Sequence, residues 1–174
     1  PLHDPAWDQL WAAAAEHRSF VLLHPWRARS PAGISGLRLG DIVDNPAQST
    51  AVVGALVLAG ALDRFPDLRI CVVHGGGFLP YQAGRFDAIA PDGPGSALRR
   101  LYYDSLTHSP EALSWLVAFA GADHVLLGSD FPFPTGDDAA VRTVERAALT
   151  PTERAAVLGG TASQLSLTPR ESPQ

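Results

Sequence analysis

Four apolar runs of strand length in this chain each end at an ionisable side chain. Phe20-Val-Leu-Leu leads into His24, Ile70-Cys-Val-Val into His74, Leu101-Tyr-Tyr into Asp104, and Val125-Leu-Leu-Gly-Ser into Asp130. Pro25, Gly75 and the pair Phe131-Pro132 follow three of them and stop each run. One histidine or aspartate at a strand end is commonly structural. Four together are not a packing solution, because buried strand ends favour apolar side chains and unpaired charges are rarely buried. Two imidazoles and a carboxylate brought to one place are natural ligands for a divalent metal such as zinc. Asp104 has a second reading, as a hydrogen-bonding group in the mouth of the site that does not touch metal.

The elements that must position these residues alternate. Asp4-Pro5 opens a helix to about Arg18, Phe20 to His24 is a strand, and Pro46 opens a helix to about Leu62. Leu68 to Val73 is the second strand and Leu79 to Ile89 a helix carrying Arg85. Leu101 to Ser105 is the third strand, Ser109 caps a helix to about Gly121, and Val125 to Gly128 is the fourth strand. Two helices close the chain, the second opened by the capping box Thr150-Pro-Thr-Glu153, and residues after about Leu167 fray. The stretch from Arg27 to Asn45 is too long for an ordinary βα connection of about 2–6 residues and reads as a lid or a disordered loop. The strand ends at 24, 74, 104 and 130 are separated by 50, 30 and 26 residues, which suits successive βα units on a parallel sheet. The expected class is α/β, a (β/α)₈ TIM-barrel type of which this chain supplies four βα units, half a barrel. A closed barrel typically needs about 250 residues. With 174 residues, no Met and a start at Pro1-Leu2-His3, the chain reads as a piece of a longer polypeptide.

Composition excludes several classes. The formal charge of −5 and the pI near 5.6, without a basic cluster, argue against a nucleic-acid partner. The longest apolar stretch, Ala51 to Leu62, has 12 residues, short of the ~20 that span a bilayer, so no membrane partner is expected. No signal-peptide pattern opens the chain, and the expectation is a cytoplasmic protein. Cys71 lies within a strand and reads as a buried small hydrophobe.

Other candidates carry competing readings. His74-Gly-Gly-Gly resembles an oxyanion-hole loop of some esterases, but no Gly-x-Ser-x-Gly elbow exists and Ser129 is in the wrong frame. The glycines instead let the backbone turn tightly beneath an imidazole. Arg85 is either a solvated surface residue or a guanidinium fork for a substrate carboxylate. Trp26 is either core or an aromatic wall for a planar substrate. His108 lies near the same rim, while His3, His17 and His124 read as ordinary surface residues.

Together these segments resemble the metal-dependent amidohydrolase superfamily, and within it the decarboxylase branch that includes aminocarboxymuconate-semialdehyde decarboxylase. The matching stretches are His24-Pro-Trp26, Gly60-Ala-Leu-Asp-Arg-Phe-Pro66, His74-Gly-Gly-Gly-Phe-Leu-Pro-Tyr-Gln-Ala-Gly-Arg85-Phe-Asp87, Tyr103-Asp-Ser105 and Leu127-Gly-Ser-Asp130-Phe-Pro. The resemblance implies that His24 and Asp130 ligate a divalent metal, Zn2+ in most members with Mn2+ as the alternative. It implies that His74 and Asp130 are catalytic, His74 handling a proton, and that Arg85 and Trp26 bind substrate. The implied activity is non-oxidative decarboxylation of a small aromatic or unsaturated carboxylic acid, in a homodimer of the full-length enzyme. Hydrolysis of a lactone, ester or amide on the same site is the alternative, and an inactive fragment needing a partner half is another. Three departures stand out: the family's His-x-His pair is absent from the chain, the resemblance begins just before the fifth barrel strand, and the usual Gly-Asn-Ala near the C-terminus reads Gly160-Thr161-Ala162. The resemblance thus implies that residues 1–174 are the C-terminal portion of a single barrel domain whose N-terminal strands, with the His-x-His ligands, are missing.

Overall fold

The computed structural model describes residues 1–26, 38–90 and 93–166. Four parallel strands form its single described sheet in the order β1-β2-β3-β4. They are β1 (Phe20–Leu23), β2 (Arg69–Val72), β3 (Tyr102–Asp104) and β4 (Val125–Leu126). Parallel neighbours need a crossover, and here helices supply each one. Helices α1 (Asp8–Glu16), α2 (Asn45–Leu58) and α3 (Ala61–Arg64) flank β1 and β2 in the chain. Then come α4 (Leu79–Ile89) before β3, α5 (Pro110–Ala120) before β4, and α6 (Ala140–Arg146), α7 (Pro151–Ala155) and α8 (Thr161–Gln164) after it. The expected α/β order of βα units is what the structure shows.

Register explains the two faces of the sheet. Leu22 pairs with Cys71, Cys71 with Tyr102, and Asp104 with Leu126, so these side chains share one face. On the other face Ile70, Val72, Tyr103 and Val125 join the core with Val53, Leu56, Leu79, Leu113 and Leu116 from the helices. The first face contributes none of its named residues to that core cluster. It carries Leu22, which is 57% exposed at the sheet edge, and at its C-terminal end the residues with chemistry.

Local details follow from the caps. Asp4 accepts from the Ala6 amide at 2.9 Å and opens a short 3₁₀ turn, Pro5–Trp7, before α1. Ser109 caps α5, and the Thr150–Glu153 capping box opens α7, both as expected. The single helix expected from Pro46 to Leu62 is broken: Gly60 sits at φ +70, ending α2 and starting α3. A 3₁₀ helix runs over Pro94–Arg100, between α4 and β3. Of the long stretch after His24, residues 27–37 lie outside the described residues, and Gly40–Asp44 form a π-helical turn leading into α2. The frayed tail expected after Leu167 also lies outside them.

Candidate metal centre and its cavity

Each strand hands its polar residue to the same end of the sheet. His24 follows β1 directly, and its Nδ1 is 2.7 Å from the Pro25 carbonyl. A carbonyl only accepts, so Nδ1–H is the donor and the Nε2 lone pair points outward. Nε2 lies 3.0 Å from Asp130 Oδ1, an acceptor. Two acceptors at that distance need a cation between them, either a second proton on the imidazole or a metal ion.

His74 begins a turn in which His74, Gly75, Gly76 and Gly77 have φ of +59, +60, +82 and +62. That left-handed run needs glycine for room as well as for conformation. A Cβ on Gly76 would lie 2.5 Å from Tyr103 Cδ1, and one on Gly77 would lie 2.8 Å from Thr50 Oγ1. The turn places His74 Nε2 3.7 Å from Asp130 Oδ2, with the His24 and His74 rings 5.2 Å apart. His74 Nδ1 is buried without a hydrogen-bond partner. Burial lowers the His74 imidazole pKa, outweighing the neighbouring Asp104 and Asp130 carboxylates that raise it.

Asp104 does not join this group. Its Oδ1 accepts from the Gly75 amide at 2.7 Å and the Leu106 amide at 3.2 Å, so it holds the turn below His74. Burial drives its carboxyl pKa up, opposed by those amide donors. Gly128 leaves room for it, since a Cβ there would meet Asp104 Cβ at 2.8 Å.

Among the described residues, one atom each from His24, His74 and Asp130 lies within 4.8 Å of the others. The donor set suits a divalent cation: nitrogen, nitrogen and oxygen ligands, one pair of them at 3.0 Å. That is about the spacing of adjacent ligands around a metal with bonds of roughly 2.0–2.2 Å. An outward-facing His24 Nε2, fixed by the carbonyl bond on the other ring nitrogen, is the arrangement ligating histidines adopt.

Two cavities reach the trio. One of about 540 Å³ touches His74 and Asp130 and is walled by Phe78, Tyr81, His108 and Trp115. The other, about 220 Å³, touches all three and is lined by Trp26 and Phe133. Trp26 is thus at the mouth, 68% exposed, with its amide bonded to Gln48 Oε1 at 3.0 Å. Arg85 is not brought in: it is exposed on α4, one helical turn past Tyr81, and lines neither cavity. It makes no hydrogen bond or ion pair with a described residue.

Phe133 stacks on His24 with centroids 5.6 Å apart and an interplanar angle of 21°. Sequence reading passed over it, although it lies three residues after Asp130 in Phe-Pro-Phe-Pro. His124 corrects the surface reading: it is half-buried and stacked on Tyr102 at 4.9 Å, because it sits at the foot of β4 beside the start of β3. Cys71 is buried as expected, and burial raises its thiol pKa well above the ordinary range. No helix among the described residues is long and apolar enough to cross a membrane.

Residues 1–165 match the family described as Amidohydrolase. The chain belongs to the amidohydrolase family. Within it, the chain is 32% identical over 143 residues to a 2-amino-3-carboxymuconate-6-semialdehyde decarboxylase of Caenorhabditis elegans, covering 75% of this chain and 36% of that protein. A Dictyostelium discoideum protein of the same name is 29% identical over 147 residues, with 78% and 41% covered. The chain therefore spans less than half the length of these curated relatives. Among solved structures, the Metarhizium anisopliae IDCase in apo form superposes with a TM-score of 0.80 at 24% identity, covering 94% of this chain and 52% of that one. This likeness concerns the fold; together with the family match over residues 1–165, it places the four βα units in the TIM-barrel fold of the amidohydrolases.

Proposed function

We propose that this amidohydrolase chain is the C-terminal half of a metal-dependent non-oxidative decarboxylase, a carboxy-lyase of a small aromatic or unsaturated carboxylic acid. The observation that carries the reading is the trio His24, His74 and Asp130, of which His74 and Asp130 line a cavity of about 540 Å³ with aromatic walls. The decarboxylase names of the curated relatives support it. His24 and Asp130 would hold the metal, zinc in the first instance and manganese as the alternative. When bound, the metal supplies a positive charge that stabilises negative charge on the substrate. Further ligands would come from strands of the other half, outside these residues.

In the proposed reaction the bond between carboxylate and substrate carbon breaks, its electron pair stays on that carbon, and CO₂ leaves. A proton must then replace it. His74 Nε2, 3.7 Å from Asp130 Oδ2, is the group that delivers this proton. Trp26 would pack on the flat face of the substrate. Arg85, exposed and away from both cavities, suits service to the site of a second copy, as in a cytoplasmic homodimer, where its fork would grip a carboxylate.

The test is CO₂ release from aromatic acids by the longer protein that includes the upstream half, with and without a chelator. Chelator-sensitive release, lowered about 10²–10⁴-fold by His74→Ala, is expected for a general acid. Metal-dependent lactone or amide hydrolysis without CO₂ release would overturn it.

A further inference from the structure

A second cavity lies at the opposite end of the sheet, where β2 and β3 begin, and shares no lining residue with the two that reach His74. We propose that it is an anion-binding site for a phosphate or carboxylate group. It encloses about 690 Å³ and is lined by Arg18, Arg69, Arg99, Arg100, Tyr102 and His124. Glu16 and Asp67 also line it, so four arginines less two acids leave an excess of two positive charges. The chain as a whole carries −5, which makes this concentration a local feature.

The lining divides into anchored and unsatisfied groups. Arg99 donates to the Phe119 carbonyl and lies 4.3 Å from the Phe119 ring centroid. Arg100 donates to the Leu62 carbonyl and pairs with Asp63 at 2.8 Å. These bonds hold two guanidinium groups at the rim in set positions. Arg69 is half-buried at the start of β2, yet it and Arg18 make no side-chain hydrogen bond or ion pair with a described residue. The Tyr102 hydroxyl is likewise without one. His124 Nδ1 is buried with no hydrogen-bond partner, although Asp123 Oδ1 is 3.3 Å away outside hydrogen-bonding geometry. Its ring is held flat against Tyr102, with 21° between the planes.

Arg69 and Tyr102 are half-buried donors without acceptors, which is costly, while Arg18 is exposed at the cavity's edge, and a guanidinium fork matches the paired oxygens of carboxylate or phosphate. One anionic group in the cavity would satisfy Arg69, Arg18 and Tyr102 together. Its source is either a free small anion or an acidic side chain from strands that complete the barrel.

The experiment titrates the 174-residue chain with inorganic phosphate at fixed ionic strength, against matched sodium chloride, by calorimetry and by amide NMR shifts. Saturable binding that moves the signals of Arg69, Tyr102 and His124 is expected. Arg69→Gln and Arg18→Ala should each weaken it about tenfold, as loss of a charged hydrogen bond does, and Arg142→Ala on α6 should not. Arg18 lies in the turn after α1, so its variant remains informative if Arg69→Gln fails to fold. Repeating the titration on the longer protein separates the sources. Binding retained there means a free anion, and binding lost there means a carboxylate of the added strands. No saturable binding to the folded chain, or binding indifferent to both arginine variants, overturns the proposal.

Discussion

Replacing Asp104 tests how the turn bearing His74 is held. Both described hydrogen bonds to its side chain end on Oδ1, from the Gly75 amide at 2.7 Å and the Leu106 amide at 3.2 Å. The site is buried, with Asp104 only 8% exposed. Asp104→Ala removes both acceptors and strands two buried N–H groups. Each such group costs ~1–3 kcal/mol, so the loss should be about 2–6 kcal/mol. Asp104→Asn keeps a carbonyl oxygen where Oδ1 stands, and both bonds survive. That variant should stay within about 1 kcal/mol of the parent, the scale of a single ordinary hydrogen bond. Urea denaturation measures the two differences, and the His74 ring signals in NMR report whether the turn has moved. An alanine variant as stable as the parent, or an asparagine variant as damaged as the alanine one, would refute the reasoning. The first would mean that the amides find other acceptors, the second that the charge matters more than the bonds.

Gly76→Ala should cost about 2–5 kcal/mol in the same assay, from left-handed strain at φ +82 and overlap with the buried Tyr103 ring; a loss under about 1 kcal/mol would contradict that close approach. Glu153, whose carboxyl pKa is lowered by the Thr150 amide and hydroxyl, should support α7 above the ordinary carboxylate pKa. Because the folded value is the lower one, that support is lost as pH falls through it, and Glu153→Gln should flatten the acid limb of the stability curve. Phe133→Ala should loosen His24 and weaken divalent-metal affinity about 10–100-fold, the usual effect of removing a group that orients a ligand; competition with a chromophoric chelator measures it, and unchanged affinity would show that the stacking does not orient His24.

Much of the site could be read from the chain because continuous apolar runs mark buried parallel strands and each run here stops at its functional residue. Every strand nonetheless ends sooner than read. His24 leaves the ladder to face Asp130, and Pro25 has no amide to extend it. His74 and Asp130 both have positive φ, +59 and +55, which no strand accommodates. The break at Gly60 went unread because apolar residues continue on both sides of it. The stacking of Phe133 on His24 and the grouping of four arginines from three separate segments at the far end are contacts across the fold. No local period encodes them. Arg85 shows the opposite case: its place in a specific motif is plain, while the structure leaves it outside both cavities that reach the trio.

The central claim is that His24 and Asp130 are ligands of one divalent metal in a site completed by the other half of the barrel. Elemental analysis of the purified chain, alone and after combination with the upstream half, tests it directly. The account predicts about one zinc or manganese per chain in the combined form, weak retention by the chain alone, and loss of the metal with His24→Ala or Asp130→Ala. A combined form that folds without metal, or holds it equally well after both substitutions, would contradict the account.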